Sequence, residues 1–169
     1  MTTQLRYPTI LFDWGDTVMR DDPSMTSPMV EWKKVEVIDG IADVLAYLRA
    51  SGRRIVLATS AEVSDESQIR GALARGGLDR YFSGIYCFKN THLQKGEAFY
   101  RHILNDLGIP FSDALMVGDG FESDVQIPNS LEMFAVWFNP ISEETRGSEL
   151  HITVHSMDEL QQFFESLDL

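Results

Sequence analysis

Thr9-Ile10-Leu11-Phe12-Asp13-Trp14-Gly15-Asp16-Thr17 decides how the rest of the chain is read. A short apolar run passes straight into two acids and a glycine, the pattern of a strand buried on both faces that ends in a loop. The same pattern recurs downstream, at Ile55-Val56-Leu57-Ala58, Ile85-Tyr86-Cys87-Phe88, Ala114-Leu115-Met116-Val117 and Met133-Phe134-Ala135-Val136-Trp137-Phe138, with a weaker sixth run at Ile152-Thr153-Val154. Helical periodicity fills the intervals. Ile41, Val44, Leu45 and Leu48 recur at i, i+3, i+4, i+7, with Asp39 placed as cap and Gly52 as stop. Ser64 is placed to cap a helix carrying Ile69, Ala72 and Leu73 that stops at Gly76-Gly77. A helix from about Lys95 turns Phe99, Ile103 and Leu107 inward and ends at Gly108 and Pro110, and Met157, Leu160, Phe164 and Leu167 share one face of a closing helix. Unbroken apolar strands alternating with helices predict a three-layer α/β/α, Rossmann-like domain with a central parallel sheet.

The chain has 169 residues, the size of one domain, with 44% hydrophobic and 24% charged residues, a folded rather than disordered composition. Residues 1–169 are read as one unit without repeats or long linkers. Acidic residues outnumber basic ones 26 to 14, giving a formal net charge of −12 that repels a nucleic-acid backbone or an anionic membrane. No apolar run approaches the ~18 to 20 residues that span a bilayer, and the first residues lack the apolar stretch of a signal peptide, so a cytoplasmic protein is expected. A single cysteine, Cys87, and four scattered histidines make neither an internal disulfide nor a zinc pattern.

In a parallel sheet, sites gather beyond the carboxyl ends of the strands. The first strand ends in Asp13 and Asp16, the second in Thr59 and Ser60; the segment after the third leads to Lys95, and the fourth ends in Asp119, with Asp124 five residues on. Carboxylates converging on one point repel each other unless a cation lies between them, and oxygen-only ligation with room for water suits Mg²⁺. Hydroxyls and an ammonium beside that cation are what a dianionic phosphoryl group needs. The residue types therefore describe phosphoryl transfer.

These motifs, Ile-Leu-Phe-Asp13-Trp-Gly-Asp-Thr17-Val, Ile-Val-Leu-Ala-Thr59-Ser60, Lys95 and Met-Val-Gly118-Asp119-Gly-Phe-Glu-Ser-Asp124-Val, resemble in order those of the haloacid dehalogenase (HAD) superfamily, mostly aspartate-nucleophile phosphatases. The resemblance implies that Asp13 is the nucleophile and a metal ligand, that Thr59, Ser60 and Lys95 bind phosphoryl oxygens, and that Asp119 and the backbone carbonyl of Gly15 complete an Mg²⁺ site. It implies that Asp124 orients Lys95 or a metal-bound water. The expected activity is Mg²⁺-dependent hydrolysis of a phosphomonoester, on a small molecule or a macromolecule, through an aspartyl-phosphate on Asp13.

The chain departs from the family at Gly15, where most of its phosphatases carry a second Asp that protonates the leaving oxygen. The next position, usually Gly, is Asp16. Gly15 offers no proton, which predicts a steep dependence of rate on the leaving group. Asp16 is left as a solvated loop acid, a surrogate donor or an acid behind the metal ligands. A cap domain has no room here, since only Val18 to Val37 separates the first strand's loop from the first helix; a capless or minimally capped member is expected, with this short loop or flap in the cap's place. Met25, Met29 and Trp32 in it either cover the site, form a contact between subunits, or pack on their own domain. An open site points to a large substrate or to a homo-oligomer whose second subunit acts as lid. Ser60 reads equally as a helix cap, and His92 as a surface residue. Two rival readings stay open: a catalytically weak module binding a phospho-ligand or a protein, and a non-phosphatase hydrolase of the same fold acting on a phosphonate.

Overall fold

β-Branched and large apolar residues that alternate direction along each strand can be buried on both faces only if helices cover both sides. The computed structural model describes residues 4–169; residues 1–3 of the expected 1–169 unit lie outside it. It contains β1 (Thr9–Phe12), α1 (Ile41–Ala50), β2 (Arg54–Ala58), α2 (Glu66–Arg75), β3 (Gly84–Tyr86), α3 (Phe88–Thr91), α4 (Glu97–Leu107), β4 (Ala114–Gly118), α5 (Ile127–Ser130), β5 (Phe134–Phe138), β6 (His151–Val154) and α6 (Met157–Leu167). The strands form one six-stranded sheet of order β3-β2-β1-β4-β5-β6, and every pairing is parallel. This is the expected α/β architecture. No helix among the described residues is long and apolar enough to cross a membrane.

Two separate cores follow from the alternation. Ile10, Phe12, Ile55, Leu57, Leu115 and Val117 point to the face covered by Val44 and Leu48 of α1, Ile69 and Leu73 of α2, and Leu160 and Phe164 of α6. Leu11, Val56, Met116 and Ala135 point to the opposite face, against Phe99, Tyr100 and Ile103 of α4. From β1 the chain winds outward through β2 and β3, then returns to place β4 on the other side of β1. The two central strands are thus a switch point, where crossovers leave to opposite faces and open a crevice at the strands' carboxyl ends.

The helix starts differ from the sequence expectation in three places. Gly40, not Asp39, precedes α1 with a left-handed φ of +84°, and a Cβ there would lie 2.9 Å from Met157 Cβ, so the close approach of α6 requires glycine. Asp65, not Ser64, caps α2: its carboxylate accepts the Gln68 N–H at 2.8 Å while Gln68 Oε1 accepts the Asp65 N–H at 2.9 Å, a reciprocal pair that serine cannot better. α4 begins at Glu97 after Gly96, whose backbone is extended, leaving Lys95 in the bend that precedes the helix. β3 also stops short of Phe88, because Asn90 Oδ1 accepts the Cys87 N–H at 2.9 Å and turns the chain into α3.

Residues 18–37 are held against the body rather than loose. Met19 bridges to Val37, the Ile38 N–H donates to the Val18 carbonyl at 2.9 Å, and Arg75 of α2 donates to the carbonyls of Val30 and Trp32. Met29 is buried in the core beneath this segment, Trp32 packs partly against it and donates to the Ser27 carbonyl at 2.9 Å, and Met25 is exposed.

The carboxyl terminus is clamped by an ion pair that the sequence pattern did not announce. The fully buried Arg53 side chain donates to Asp168 through two nitrogens, at 2.6 and 2.8 Å, and to the carbonyls of Arg6 and Tyr7. The Arg53 hydrogen bonds hold the Asp168 carboxyl below its ordinary 3.8. Its contribution to stability is therefore complete above that ordinary value and is lost as the pH falls below it, through the lowered folded-state value. Asp168→Ala is expected to destabilise the fold by about 2–3 kcal/mol, since the guanidinium keeps its carbonyl partners but loses its counter-charge. Urea unfolding at pH 7 checks this, and the gap to the parent should narrow below pH 4 (the ordinary value is 3.8).

Candidate active site

The crevice at the switch point gathers residues from four separated stretches. Asp13 follows β1, and its N–H donates to the Val117 carbonyl at 2.9 Å, continuing the β1–β4 ladder one residue further and fixing the carboxylate at the sheet edge. Thr59 is held in the same way by its N–H to the Tyr86 carbonyl at 3.0 Å. Asp119 follows β4. The turn Phe121–Gln126, wider than an α-helical one, carries Asp124 back over the end of β4, where the Gly120 N–H donates to Asp124 Oδ2 at 3.0 Å. A Cβ on Gly118 would lie 2.2 Å from that same oxygen, so glycine at the end of β4 is what lets the Asp124 carboxylate in.

Lys95 reaches the centre from the bend ahead of α4. Its Nζ lies 2.7 Å from Asp13 Oδ1 and 2.7 Å from Asp124 Oδ1, with 6% of the side chain exposed. Burial alone would lower its pKa; the charges of Asp13 and Asp124 outweigh that and hold the ammonium well above its usual value. Ser60 Oγ accepts the Lys95 N–H at 3.2 Å and Thr59 Oγ1 accepts the Ala61 N–H at 3.1 Å, so each hydroxyl keeps its own proton for another acceptor. Ser60 does not cap α2.

Asp13, Asp119 and Asp124 bring carboxylate oxygens within 4.8 Å of one another. Desolvation, followed by the hydrogen bond and charge of Asp13, pushes the Asp119 carboxyl up to about 8. Burial pushes Asp124 up to about 6 against the lowering effect of Lys95. One ammonium does not balance this cluster. A hard divalent cation suits such an all-oxygen donor set, and its charge would offset both the burial and the neighbouring acids that raise Asp119.

Residues outside the expected set of site residues complete the crevice. The Thr17 hydroxyl lies 3.4 Å from Asp13 Oδ2 and 3.3 Å from Asp119 Oδ1, able to serve either, because the loop winds around the Trp14 carbonyl, which accepts the N–H groups of Val18 and Met19. Its fixed spacing from Asp13 was the available signal. Trp14, Asp21, Met29 and Ser123 join Asp13, Gly15, Thr59, Ser60, Lys95, Asp119 and Asp124 around a cavity of about 310 Å³. Trp14 Nε1 is buried and has no acceptor among the described residues. Asp21 lies in the 18–37 loop, where the sequence singles out only Met25, Met29 and Trp32. Asp16 is exposed, adopts a left-handed φ of +59°, and accepts the Asp21 N–H at 3.0 Å instead of lining the cavity. His92 is also exposed, at the end of α3, and outside the cavity lining.

A parallel α/β sheet with a carboxylate-lysine crevice at its switch point places a candidate catalytic site where such folds carry theirs. The chain belongs to the haloacid dehalogenase-like hydrolases, whose family model matches residues 26–129. The match begins after Asp13, so the first motif rests on the geometry above. Among characterised relatives, the pyrimidine 5'-nucleotidase PynA of Streptococcus pneumoniae is 28% identical over 107 residues, 62% of this chain and 44% of that protein; the chain thus spans less than half of that relative's length. A Listeria monocytogenes serotype 4b protein shares the fold over 95% of this chain and 98% of its own, with a TM-score of 0.79 and 23% identity. The HAD phosphatase of Thermococcus onnurineus aligns with 76% of this chain and 58% of its own, at a TM-score of 0.64 and 25% identity.

Proposed function

We propose that residues 1–169 form one catalytic unit that hydrolyses phosphomonoesters with Mg²⁺, through a phosphoryl group carried on Asp13, with residues 18–37 standing where a cap would be. The observation that carries this reading is Lys95 Nζ at 2.7 Å from both Asp13 and Asp124, in a crevice where Thr59 and Ser60 keep free hydroxyl protons.

Asp13 and Asp119, with the Gly15 carbonyl, would hold the metal ion. When bound, Mg²⁺ supplies positive charge to the transferring phosphoryl oxygens and to the attacking carboxylate. The chain's own groups do the rest. Thr59 and Ser60 donate to phosphoryl oxygens and fix the phosphorus in front of Asp13. Lys95 has three protons and gives two to carboxylates, leaving the third for a phosphoryl oxygen as charge develops. Asp124 holds that ammonium in place from behind. An Asp13 oxygen then displaces the ester oxygen, and water later displaces Asp13, which divides one difficult substitution into two.

A screen of phosphate esters, nucleoside monophosphates among them because of the nucleotidase relative, run with and without Mg²⁺, is expected to give turnover only with the cation. Calorimetry of the same protein is expected to show Mg²⁺ binding that Asp119→Ala weakens by more than the ~10- to 100-fold typical of changes behind the ligands. Equal binding by Asp119→Ala would refute the metal assignment. Binding without turnover on any ester would leave a phospho-ligand module as the function.

A further inference from the structure

We propose that Asp21 is the general acid and base of this site, taking the place that Gly15 leaves empty; this rests on the phosphomonoesterase reading above. An alkyl ester needs a proton on its departing oxygen, and the attacking water must lose one. The other carboxylates of the crevice are committed. Asp13 is the nucleophile and pairs with Lys95; Asp119 stands against Asp13 and Thr17; Asp124 spends one oxygen on Lys95 and the other on the Gly120 N–H.

Asp21 is different. It lines the same cavity and is exposed to solvent, so it can exchange protons with water. Its Oδ1 accepts the Asp22 N–H at 2.9 Å, while its Oδ2 has no partner among the described residues. Measured from where a Cβ on Gly15 would stand, Asp21 Cβ is 3.3 Å away, Cγ 3.6 Å and Oδ2 3.7 Å. The Asp21 carboxylate thus stands beside the place where a side chain at position 15 would begin, and a Cβ there would press on Asp21 Cβ by a few tenths of an ångström.

The neighbouring acid fixes the newcomer. Asp16 Oδ1 accepts the Asp21 N–H at 3.0 Å, and the left-handed backbone of Asp16, tolerated by Asp better than by most residues, turns its side chain to that bond. The Met19–Val37 bridge and the Arg20 N–H to the Glu36 carbonyl at 2.9 Å anchor the strand-like stretch leading to Asp21. Asp16 is therefore a positioning residue and Asp21 the one that meets the ester. In the first step an Asp13 oxygen bonds to phosphorus, the bond from phosphorus to the ester oxygen breaks, and that oxygen takes the Asp21 proton and leaves as the alcohol. In the second step water loses a proton to Asp21 as it bonds to phosphorus, and the bond to Asp13 breaks, releasing inorganic phosphate and restoring both acids.

The test is a series from p-nitrophenyl phosphate through phenyl phosphate to glycerol phosphate, with Mg²⁺, on the full chain. The parent is expected to show a shallow dependence on the leaving group. Asp21→Asn should lose ~100-fold or more in kcat/KM on glycerol phosphate but less than ~10-fold on p-nitrophenyl phosphate, whose leaving group departs unaided. Asp16→Ala should show the same tilt more weakly, and Asp16→Asn, which keeps a carbonyl oxygen for the Asp21 N–H, should recover most of the loss. Equal losses on all three esters, or none, in Asp21→Asn would overturn the assignment, and so would an Asp16→Asn as tilted as Asp16→Ala, which would make Asp16 the donor. Asp13→Asn run alongside separates the two levels: if it keeps turnover the underlying reading fails, whereas an inactive Asp13→Asn with an indifferent Asp21→Asn removes only Asp21.

Discussion

Asp13→Asn is expected to lower turnover of every phosphate ester by at least ~10⁴-fold, the scale on which removal of a covalent nucleophile acts. The amide has nearly the carboxylate's shape and keeps an acceptor for Lys95 Nζ, which lies 2.7 Å from Asp13 Oδ1, and the backbone bond to Val117 is untouched. The loss should therefore appear in a protein that still unfolds cooperatively, since Asp124 remains as a full counter-charge on Lys95 and the charge removed from Asp13 also relieves Asp119. Phosphate release under saturating ester measures the turnover. Acid quenching of the parent during turnover, followed by mass spectrometry, should place a phosphoryl group on the peptide that contains Asp13. Turnover retained in Asp13→Asn would end the covalent mechanism.

Lys95→Ala carries the second large effect, and it is an effect on both activity and stability. The ammonium is the positive charge paired with Asp13 and Asp124, and it is almost completely withdrawn from solvent. Without it the developing charge on the phosphoryl oxygens loses a donor held in place in advance, and kcat/KM is expected to fall by ~10³-fold. Asp124, 1% exposed, also loses its counter-ion. Removing one partner of such a buried pair costs about 3–5 kcal/mol. Here the Gly120 N–H remains on Asp124 Oδ2, so the lower end is expected. Urea unfolding of Lys95→Ala without divalent cations checks the loss. Adding Mg²⁺ should return part of it, because the cation would then carry the charge balance of the three carboxylates. A variant as stable and as active as the parent would mean that Lys95 does not balance the site.

Much of this site was legible before any coordinates. Asp13, Thr59, Lys95 and Asp119 each stand at or after the end of an apolar run, and in a parallel sheet those ends share one edge, so separation along the chain did not hide their convergence. Thr17 had a visible spacing without a visible partner, since its contact with Asp119 spans 102 positions. Asp21 carried no signal at all. Its place depends on how residues 18–37 fold back over Gly15, and that path is set by the Met19–Val37 bridge and by Arg75 holding the carbonyls of Val30 and Trp32. The misplaced caps have a similar origin. A sequence shows which residues can cap a helix, but Gly40 was selected by the packing of Met157 and Asp65 by its reciprocal bond with Gln68.

The sequence by itself determined the parallel sheet, the order of the strands and of the four long helices, and the chemistry at the strand ends, because burial on both faces writes an unbroken apolar run and a polar residue at its end stands out against it; the short α3 and α5 left no such mark. Only the tertiary structure decided which strand lies beside which, and with it the switch point between β1 and β4 that brings Asp13 next to Asp119. It also decided the clamp of Arg53 on Asp168 and the approach of Asp21 to Gly15, which join residues 115 and 6 positions apart. Such contacts depend on distances between elements whose packing is settled by the whole core at once, and no local pattern of residues records them.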